Sequence, residues 1–261
     1  MKLGLIGNGA IARVVAGHCA AHSDRFEIAA ALGLETDVES VGAYPLVHNL
    51  PSLMSHHPDL VIECASQAAV AAHCAAILKS GCDVMIISVG AFAADELRQG
   101  LERAAHQGGA KIYIPPGALA GLDAISAART DGLDEVTLRT RKPPKAWSGA
   151  PGVEGVDLDA ITEPTVIFSG TASEAAQAFP KNANVAAAVA LAGIGMDQTR
   201  VELIADPAAS RNNHLITAHG PFGRLKIDVE AKPSPHNPKT SHLAALSIVR
   251  ALDRLTEVLV L

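Results

Sequence analysis

The sequence predicts an α/β protein with an N-terminal Rossmann domain, built on a doubly wound parallel sheet, and a second α+β domain for the substrate. Three observations carry this prediction. Apolar runs alternate with helical patterns over the first 115 or so residues, a glycine-rich turn follows the first run, and the pattern changes after Pro115-Pro116. Continuous apolar strands separated by helices are typical of a parallel sheet covered on both faces. We expect the first domain to span 1–120, completed by 240–261, and the second to span 121–239.

The elements of the first domain follow from its short apolar runs and from the helical spacing of the stretches between them. The expected strands are 3–7, 26–32, 60–65, 82–89 and 110–114. The expected helices are 10–21, 68–79 and 95–107.

The second domain begins with an expected helix over 121–128, after which apolar and polar residues alternate with period two. This alternation favours an antiparallel sheet with one covered face. The expected strands are 134–142, 164–170, 199–205, 214–219 and 223–231. A single alanine-rich helix over 184–191 interrupts them, 232–241 is expected to be a loop, and 241–259 has the apolar spacing of a final helix.

The composition excludes several classes of protein. The 27 acidic residues outnumber the 21 basic ones and aromatic residues make up 3%, so the chain lacks the basic excess and stacking rings of a nucleic-acid binder. No apolar run reaches the roughly 18 residues of a membrane span, and the start, MKLGLIGNGA, lacks the long apolar stretch expected of a signal peptide. We expect a cytoplasmic protein with no nucleic-acid or membrane partner. The four cysteines show no zinc spacing, so we expect buried free thiols and no metal site.

A glycine-rich loop follows the first strand and opens the first helix. It reads Gly7, Asn8, Gly9, Ala10, Ile11 and Ala12, which fits the pattern G-x-G-x-x-G/A. In that pattern the first glycine allows a tight turn, the second lets a pyrophosphate approach the backbone, and the third small residue lets the helix pack close to the sheet. The helix N-terminus then faces the negative charge. The strand–helix–strand context indicates that this loop binds a dinucleotide.

The preference between NAD and NADP is less well defined. An acidic residue at the end of the second strand would hold the ribose hydroxyls of NAD. Glu35 lies a residue or two beyond that position, and no arginine follows that could hold a 2′-phosphate. We expect NAD as the cofactor, with NADP also accepted.

Several strings in the second half of the chain are unusually specific, and they keep a fixed order. They are IPPGALAGLDAI (114–125), TRKPP with Trp147 nearby (140–147), FSGTASEAAQAFPKNANVAAAVALAG (168–193), DQTRVELIADP (197–207), RNNHLITAHGPFG (211–223) and NPKTSHLAALS (237–247). Together with the glycine loop, they resemble the L-aspartate dehydrogenase family over essentially the whole chain.

The resemblance implies an enzyme that oxidatively deaminates L-aspartate with NAD or NADP. The product would be iminosuccinate, which feeds NAD synthesis or hydrolyses to oxaloacetate and ammonia. The family's catalytic histidine matches His214, and its cofactor contacts beyond the glycine loop match Ala118 and Asn184. The resemblance also implies a homodimer, and an apolar outer face on the second sheet would provide a surface for it.

The chemistry of His214 can be argued from the reaction. Hydride can leave the aspartate Cα only when the amine is deprotonated, and a group that titrates near neutrality suits that proton transfer. Guiding water onto the imine carbon is an equally compatible role. On a strand, His214 shares a face with Ile216, whereas His219 points the other way, so the two histidines are not expected to act as a pair.

The substrate carries two carboxylates, so cationic groups or hydroxyls are needed beside it. The candidates for substrate binding are Lys181, Asn182, Thr240 and Ser241, with Arg141, Lys142 and Lys239 as further cations. Each has an alternative role. Thr240 or Ser241 could cap the final helix, Asn182 or Asn184 the alanine-rich one, and Lys181 could be solvated.

Two other kinds of function remain open from the residues alone. One is a related two-domain enzyme, such as a dihydrodipicolinate reductase or a homoserine dehydrogenase. The other is a non-catalytic NAD(H)-sensing protein, which would keep the glycine loop but need no histidine. The segments 63–66 and 88–91 end predicted strands, so they either pass close to the cofactor or form ordinary turns.

Overall fold

A computed structural model describes residues 1–37, 39–234 and 237–260. The side chains at 181, 234 and 237–240 lie outside that description. The chain forms two compact units, one of Met1–Gly117 with Ala245–Leu261 and the other of Ala118–Ala244. Among the described residues, the helices are all too short or too polar to cross a membrane.

The first unit is built on a six-stranded parallel sheet with the order β3-β2-β1-β4-β5-β6. Its strands are β1 (Lys2–Ile6), β2 (Glu27–Leu32), β3 (Leu46–Val47), β4 (Leu60–Glu63), β5 (Asp83–Ile86) and β6 (Ile112–Tyr113). The direction of the strand order reverses between β1 and β4, and this is where open parallel sheets bind ligands, beyond the carboxyl ends of the strands. The predicted Rossmann fold is therefore confirmed.

The helices around this sheet follow the sequence closely. They are α1 (Ala10–Ala21), α2 (Leu50–Met54), α3 (Gln67–Ala69), α4 (Ala75–Lys79) and α5 (Asp95–Gly108). The helix expected over 68–79 is interrupted by a π-helical segment, Val70–Cys74, between α3 and α4. The pattern missed β3 and α2, which are too short to show a period, although Asn49 caps α2 by accepting from the Ser52 N–H.

The end of the chain returns to this first unit. The final helix, α9 (His242–Arg254), is shorter than expected. It places Ile248 and Leu252, both fully buried, in the same core as Leu3 and Leu5 of β1. Each fully buried aliphatic side chain contributes roughly 1.5–3 kcal/mol, so this contact anchors the C-terminal helix to the nucleotide-binding unit.

The second unit is built on a five-stranded sheet with the order β11-β10-β7-β9-β8. Its strands are β7 (Glu135–Lys142), β8 (Thr165–Thr171), β9 (Arg200–Ala205), β10 (Asn212–Gly220) and β11 (Gly223–Ala231). The expectation of an antiparallel sheet is wrong for one pair, because β7 and β9 run parallel. Period-two alternation reports a covered face and does not report strand direction, so the sequence pattern could not distinguish the two.

The helices of the second unit also differ from the expectation. They are α6 (Leu122–Ala128), α7 (Ala172–Ala178) and α8 (Ala183–Ala192). The expectation of a single alanine-rich helix after β8 is wrong, because α7 precedes α8. Thr171 and Glu174 form a capping box at the start of α7, and this was a readable signal. The expected loop over 232–241 contains a short antiparallel pair, β12 (Pro233–Ser234) and β13 (Asn237–Ser241).

The two faces of the second sheet differ in chemistry. Val136 and Leu138 of β7 and Ile216 of β10 are buried on the inner face. Apart from the buried Thr137, the outer positions of β7 and β11 are exposed and charged; among them are Arg139, Arg141, Arg224, Lys226, Asp228 and Glu230. The expectation of an apolar outer face is therefore wrong for these strands.

Candidate active site

The glycine loop after β1 has the geometry of a dinucleotide-binding turn. Gly7 has a φ of +108°, which disfavours any side chain. A Cβ there would lie 3.1 Å from both the Ala65 Cβ and the Cys64 carbonyl oxygen. A Cβ built on Gly9 would meet no atom within 4 Å, so the backbone faces open space there. Gly7 is therefore needed for the turn, and Gly9 leaves room for a pyrophosphate to approach the backbone.

The N-terminus of α1 is left available for an anion. Its N-cap is Gly9, which provides no side-chain cap, and its first turn holds no acidic residue. Ala12 is fully buried, so the helix packs close to the sheet, while Ala10 and Ile11 are half-buried. Free N–H groups at a helix N-terminus bind phosphate. These residues fit the pyrophosphate of NAD.

Asn8 has a structural role that the pattern does not predict. Its Nδ2 donates to the Glu39 carbonyl at 2.7 Å, and its Oδ1 accepts from the Val41 N–H at 2.9 Å. The side chain therefore connects the glycine loop to the segment after β2. Glu35, the acidic candidate for the ribose, lies exposed in a turn beyond the end of β2.

Glu63, at the end of β4, is a fully buried carboxylate. Its Oε1 accepts from the backbone N–H groups of Ala65 at 2.8 Å and Ser66 at 2.9 Å. Ser88 donates its hydroxyl to Oε1 at 2.9 Å and its N–H to Oε2 at 3.0 Å. Burial raises the pKa of Glu63, and these four hydrogen bonds oppose that shift. One carboxylate thus joins the segments that follow β4 and β5.

Sequence reasoning placed both segments at strand ends but missed the role of this carboxylate. The available signal was an acidic residue at the end of an otherwise apolar run, LVIE. A charged residue is almost never fully buried unless it is paired or hydrogen-bonded, so such a residue marks a structural or functional contact.

His214 lies on the inner face of the second sheet. It is 3% exposed and sits directly opposite Thr140, where β10 pairs with β7. Its Nδ1 is 3.0 Å from the Thr140 hydroxyl oxygen. Burial, and secondarily the charge of Lys142, lowers the pKa of His214 to about 4. The imidazole is therefore neutral at physiological pH, and the expectation that this group titrates near neutrality is wrong for the folded protein.

Lys142 ends β7 on the same inner face, two residues beyond Thr140. Its Nζ donates to the Oδ1 of Asn182 and lies 4.9 Å from the ring centroid of Trp147. Burial lowers the pKa of Lys142 to about 8. The structure thus brings Asn182, a predicted substrate-binding residue, to a lysine named only among the further cations.

The remaining predicted residues are placed as follows. Asn184 lies on the exposed side of α8, and Ala118 is half-buried at the start of the second unit. Ser241 has a buried hydroxyl oxygen with no hydrogen-bond partner among the described residues, so this side chain does not cap α9. The side chains of Lys181 and Thr240 lie outside the described part.

The cysteines are mostly buried, and their thiols are free. Cys19, Cys74 and Cys82 are buried free thiols, as expected. Burial raises the pKa of Cys19 and Cys82 to about 11 and that of Cys74 to about 12. Cys64 is only half-buried. Within the described ranges, His, Cys, Asp and Glu form no group that could hold a metal ion.

The fold and the glycine loop define an oxidoreductase that binds a nicotinamide dinucleotide in a Rossmann domain. Two family models match the chain: "Homoserine dehydrogenase, NAD binding domain" over residues 6–115 and "Aspartate dehydrogenase, C-terminal" over residues 123–255. The chain belongs to the L-aspartate dehydrogenase family, and the resemblance read from the sequence is confirmed.

Relatives and solved structures agree with this assignment. An L-aspartate dehydrogenase from Methanosarcina acetivorans is 45% identical, over 98% of this chain and 97% of the relative. Another from Cupriavidus necator is 48% identical over 77% of this chain and 75% of the relative. The crystal structure of aspartate dehydrogenase from Thermotoga maritima superimposes with a TM-score of 0.77 and 28% identity, covering 100% of this chain and 99% of that one.

A more distant structure shares the fold alone. A dihydrodipicolinate reductase from Paenisporosarcina has a TM-score of 0.54 at 13% identity, covering 98% of this chain and 94% of that chain. The reductase alternative therefore has support only at the level of architecture.

Proposed function

We propose that this chain catalyses the NAD-dependent oxidative deamination of L-aspartate to iminosuccinate. The observation that carries this proposal is family membership, at 45% identity over nearly the whole chain. The product would then hydrolyse to oxaloacetate and ammonia or be consumed in NAD synthesis. We propose NAD as the main cofactor, with NADP also accepted, because the turn after β2 holds Glu35 and no nearby arginine.

We propose His214 as the residue that accepts a proton from the ammonium group of the substrate. If the Nδ1–H donates to the Thr140 hydroxyl oxygen, the lone pair of Nε2 is left for the substrate. A neutral imidazole can then accept a proton from the substrate ammonium, and the free amine that remains supports hydride loss from Cα. A bound NAD would supply the hydride acceptor for this step. Orienting a water molecule towards the imine carbon is the alternative role for the same Nε2.

Ala118 and Asn184 are proposed as further cofactor contacts, and Lys181, Asn182, Thr240 and Ser241 as substrate contacts, all from the family resemblance. Asn182 has structural support because it binds Lys142. We also propose, from the resemblance alone, a cytoplasmic homodimer. Light scattering should give twice the chain mass across working concentrations, and a monomer would contradict the dimer.

The function is tested by following reduced cofactor through its absorbance. The wild-type protein is mixed with NAD or NADP and with L-aspartate, D-aspartate, L-glutamate or L-homoserine. We expect reduction with L-aspartate selectively, and faster reduction with NAD than with NADP. Reduction with L-homoserine instead would favour the homoserine dehydrogenase alternative. Cofactor binding without turnover of any amino acid would favour the sensing protein.

A further inference from the structure

We propose that Lys142 binds a carboxylate of the substrate and is the residue by which this site selects dicarboxylic amino acids over those with one carboxylate. This inference rests on the proposed function, because it assigns the substrate class to the site around His214. Lys142 is a cation on a covered sheet face that also carries His214 and Thr140 among apolar side chains such as Val136, Leu138 and Ile216.

The position of Lys142 on the sheet supports this role. Thr140 and Lys142 are two positions apart on β7 and point to the same face, and Thr140 contacts His214 directly. Two residues along a strand advance roughly 7 Å. A four-carbon molecule can bridge that spacing and contact the imidazole through its amine and the ammonium through a carboxylate.

The ammonium group of Lys142 is held in place before any ligand arrives. Asn182 accepts one of its three N–H donors, and the Trp147 ring lies 4.9 Å away. Trp147 is itself fixed, because it is 1% exposed and donates its Nε1–H to the Ile204 carbonyl at 3.3 Å. The edge-on contact between Trp147 and Phe179, with centroids 5.7 Å apart, holds the ring further. A fixed cation loses little freedom on binding an anion.

The charges around Lys142 leave it without an anionic partner. Within the described part of the chain it makes no ion pair. Asp206, the residue that follows β9, is engaged elsewhere. Its carboxylate lies 3.4 Å from the Arg141 guanidinium and accepts from the Ala208 N–H at 2.8 Å. A half-buried ammonium with only neutral partners is poorly compensated, and a substrate carboxylate compensates it through a charge-assisted hydrogen bond.

A carboxylate on Lys142 also changes His214. The charge of Lys142 contributes to the lowered pKa of the imidazole. An anion that pairs with the ammonium offsets this effect, so the proton affinity of His214 rises when the substrate is in place. Substrate recognition and proton transfer are thereby coupled through one side chain.

Direct binding tests the proposal independently of turnover. Succinate and butyrate, which differ by one carboxylate, are titrated by calorimetry into the wild-type protein with NAD present and absent. In Lys142→Met, the dissociation constant of succinate should rise about 10–100-fold, as expected for loss of a charged hydrogen bond, while that of butyrate changes by less than about twofold. Lys145→Met, which alters an exposed lysine three residues on, is the matched control and should leave both constants unchanged.

Catalytic specificity provides a second readout. The ratio of kcat/KM for L-aspartate to that for L-2-aminobutyrate should fall at least tenfold in Lys142→Met. Lys142→Arg keeps the charge and should keep the preference for succinate, which decides the question if Lys142→Met does not fold. The proposal would be overturned if Lys142→Met weakened the binding of succinate and butyrate equally. It would also be overturned if the wild-type protein did not bind succinate. If the wild type binds succinate through Lys142 but does not oxidise L-aspartate, the proposed function fails while this inference stands.

Discussion

Glu63 in the first unit and the His214–Lys142 pair in the second are ionisable sites with opposite construction. Glu63 is fully buried and receives four hydrogen bonds, so its carboxylate is committed to the protein. Lys142 has neutral partners, and within the described part of the chain His214 contacts a single hydroxyl, through Nδ1. Burial shifts the pKa of all three groups towards the neutral form, but only at Glu63 do four hydrogen bonds oppose the shift.

The difference distinguishes a residue that positions the backbone, Glu63, from residues that can bind a ligand or a proton, Lys142 and His214. A carboxylate that accepts from three backbone N–H groups and one hydroxyl holds two segments in place, and its four lone-pair positions are taken up by the protein. Groups whose charge is poorly compensated retain capacity for a ligand or a proton, and such groups concentrate at functional sites. Glu63 therefore fixes the segments after β4 and β5 in the first unit, whereas the second unit holds the two ionisable groups that we propose act on the substrate.

The largest expected effect comes from removing the imidazole. His214→Ala should lower kcat for L-aspartate by about 10²–10⁴-fold, the usual contribution of a general base. Its dissociation constant for NADH, measured by fluorescence titration, should stay within about twofold of wild type. His219→Ala is the control, because His219 lies exposed on the other face of β10. Full activity in His214→Ala would show that this residue is not the general base.

The next largest effect is expected at Glu63. Glu63→Gln turns an NH₂ group towards a backbone donor, and a buried donor that loses its acceptor in this way costs up to about 3 kcal/mol. The free energy of unfolding in urea should fall accordingly, and NADH should bind more weakly because the segments after β4 and β5 move. Glu27→Gln changes an exposed carboxylate on β2 and should alter neither quantity. Wild-type stability and NADH affinity in Glu63→Gln would show that the carboxylate holds nothing in place.

The lowered pKa of His214 predicts a pH dependence of stability. The ordinary pKa of histidine is 6.5 and the folded value is about 4, so between these values the unfolded chain binds more protons. Stability is therefore lost as the pH falls below 6.5. Between pH 7 and pH 5 this residue should account for about 2 kcal/mol of lost unfolding free energy. Between pH 7 and pH 5, the unfolding free energy of His214→Gln should fall by about 2 kcal/mol less than that of the wild-type protein. An equal fall in the two proteins would contradict the lowered pKa of His214.

The smallest effect is expected at the start of α7. Thr171→Ala removes the side chain that accepts from the Glu174 N–H at 3.2 Å, and loss of a cap costs about 1 kcal/mol. Thermal unfolding should detect this decrease, with turnover of L-aspartate unchanged. Ser173→Ala, within the same turn, is the control. A Tm equal to wild type in Thr171→Ala would show that α7 does not depend on its cap.

Local signals were sufficient for most of the first unit. The bounds of α1 were predicted residue for residue, because the glycine turn starts the helix and the apolar spacing continues it. The capping box of α7, formed by Thr171 and Glu174, is also a local signal, because both residues lie within one turn of the sequence. The parallel pairing of β7 with β9 was not readable, because alternation does not encode direction.

The contacts of the site depend on tertiary structure. His214 meets Thr140 across 74 positions of sequence, and Lys142 meets Asn182 across 40. Glu63 meets Ser88 across 25. The sequence could identify the residue types that the reaction needs, but which of the candidate cations lies beside the imidazole was decided by strand pairing.

One labelling measurement tests the central claim most directly. L-aspartate carrying deuterium at Cα is incubated with the wild-type protein and NAD, and the reduced cofactor is analysed by mass spectrometry. The account predicts that the deuterium is transferred to the cofactor and that turnover slows relative to unlabelled L-aspartate when hydride transfer limits the rate. Reduced cofactor without the label, or no reduction at all, would contradict oxidation of L-aspartate at Cα.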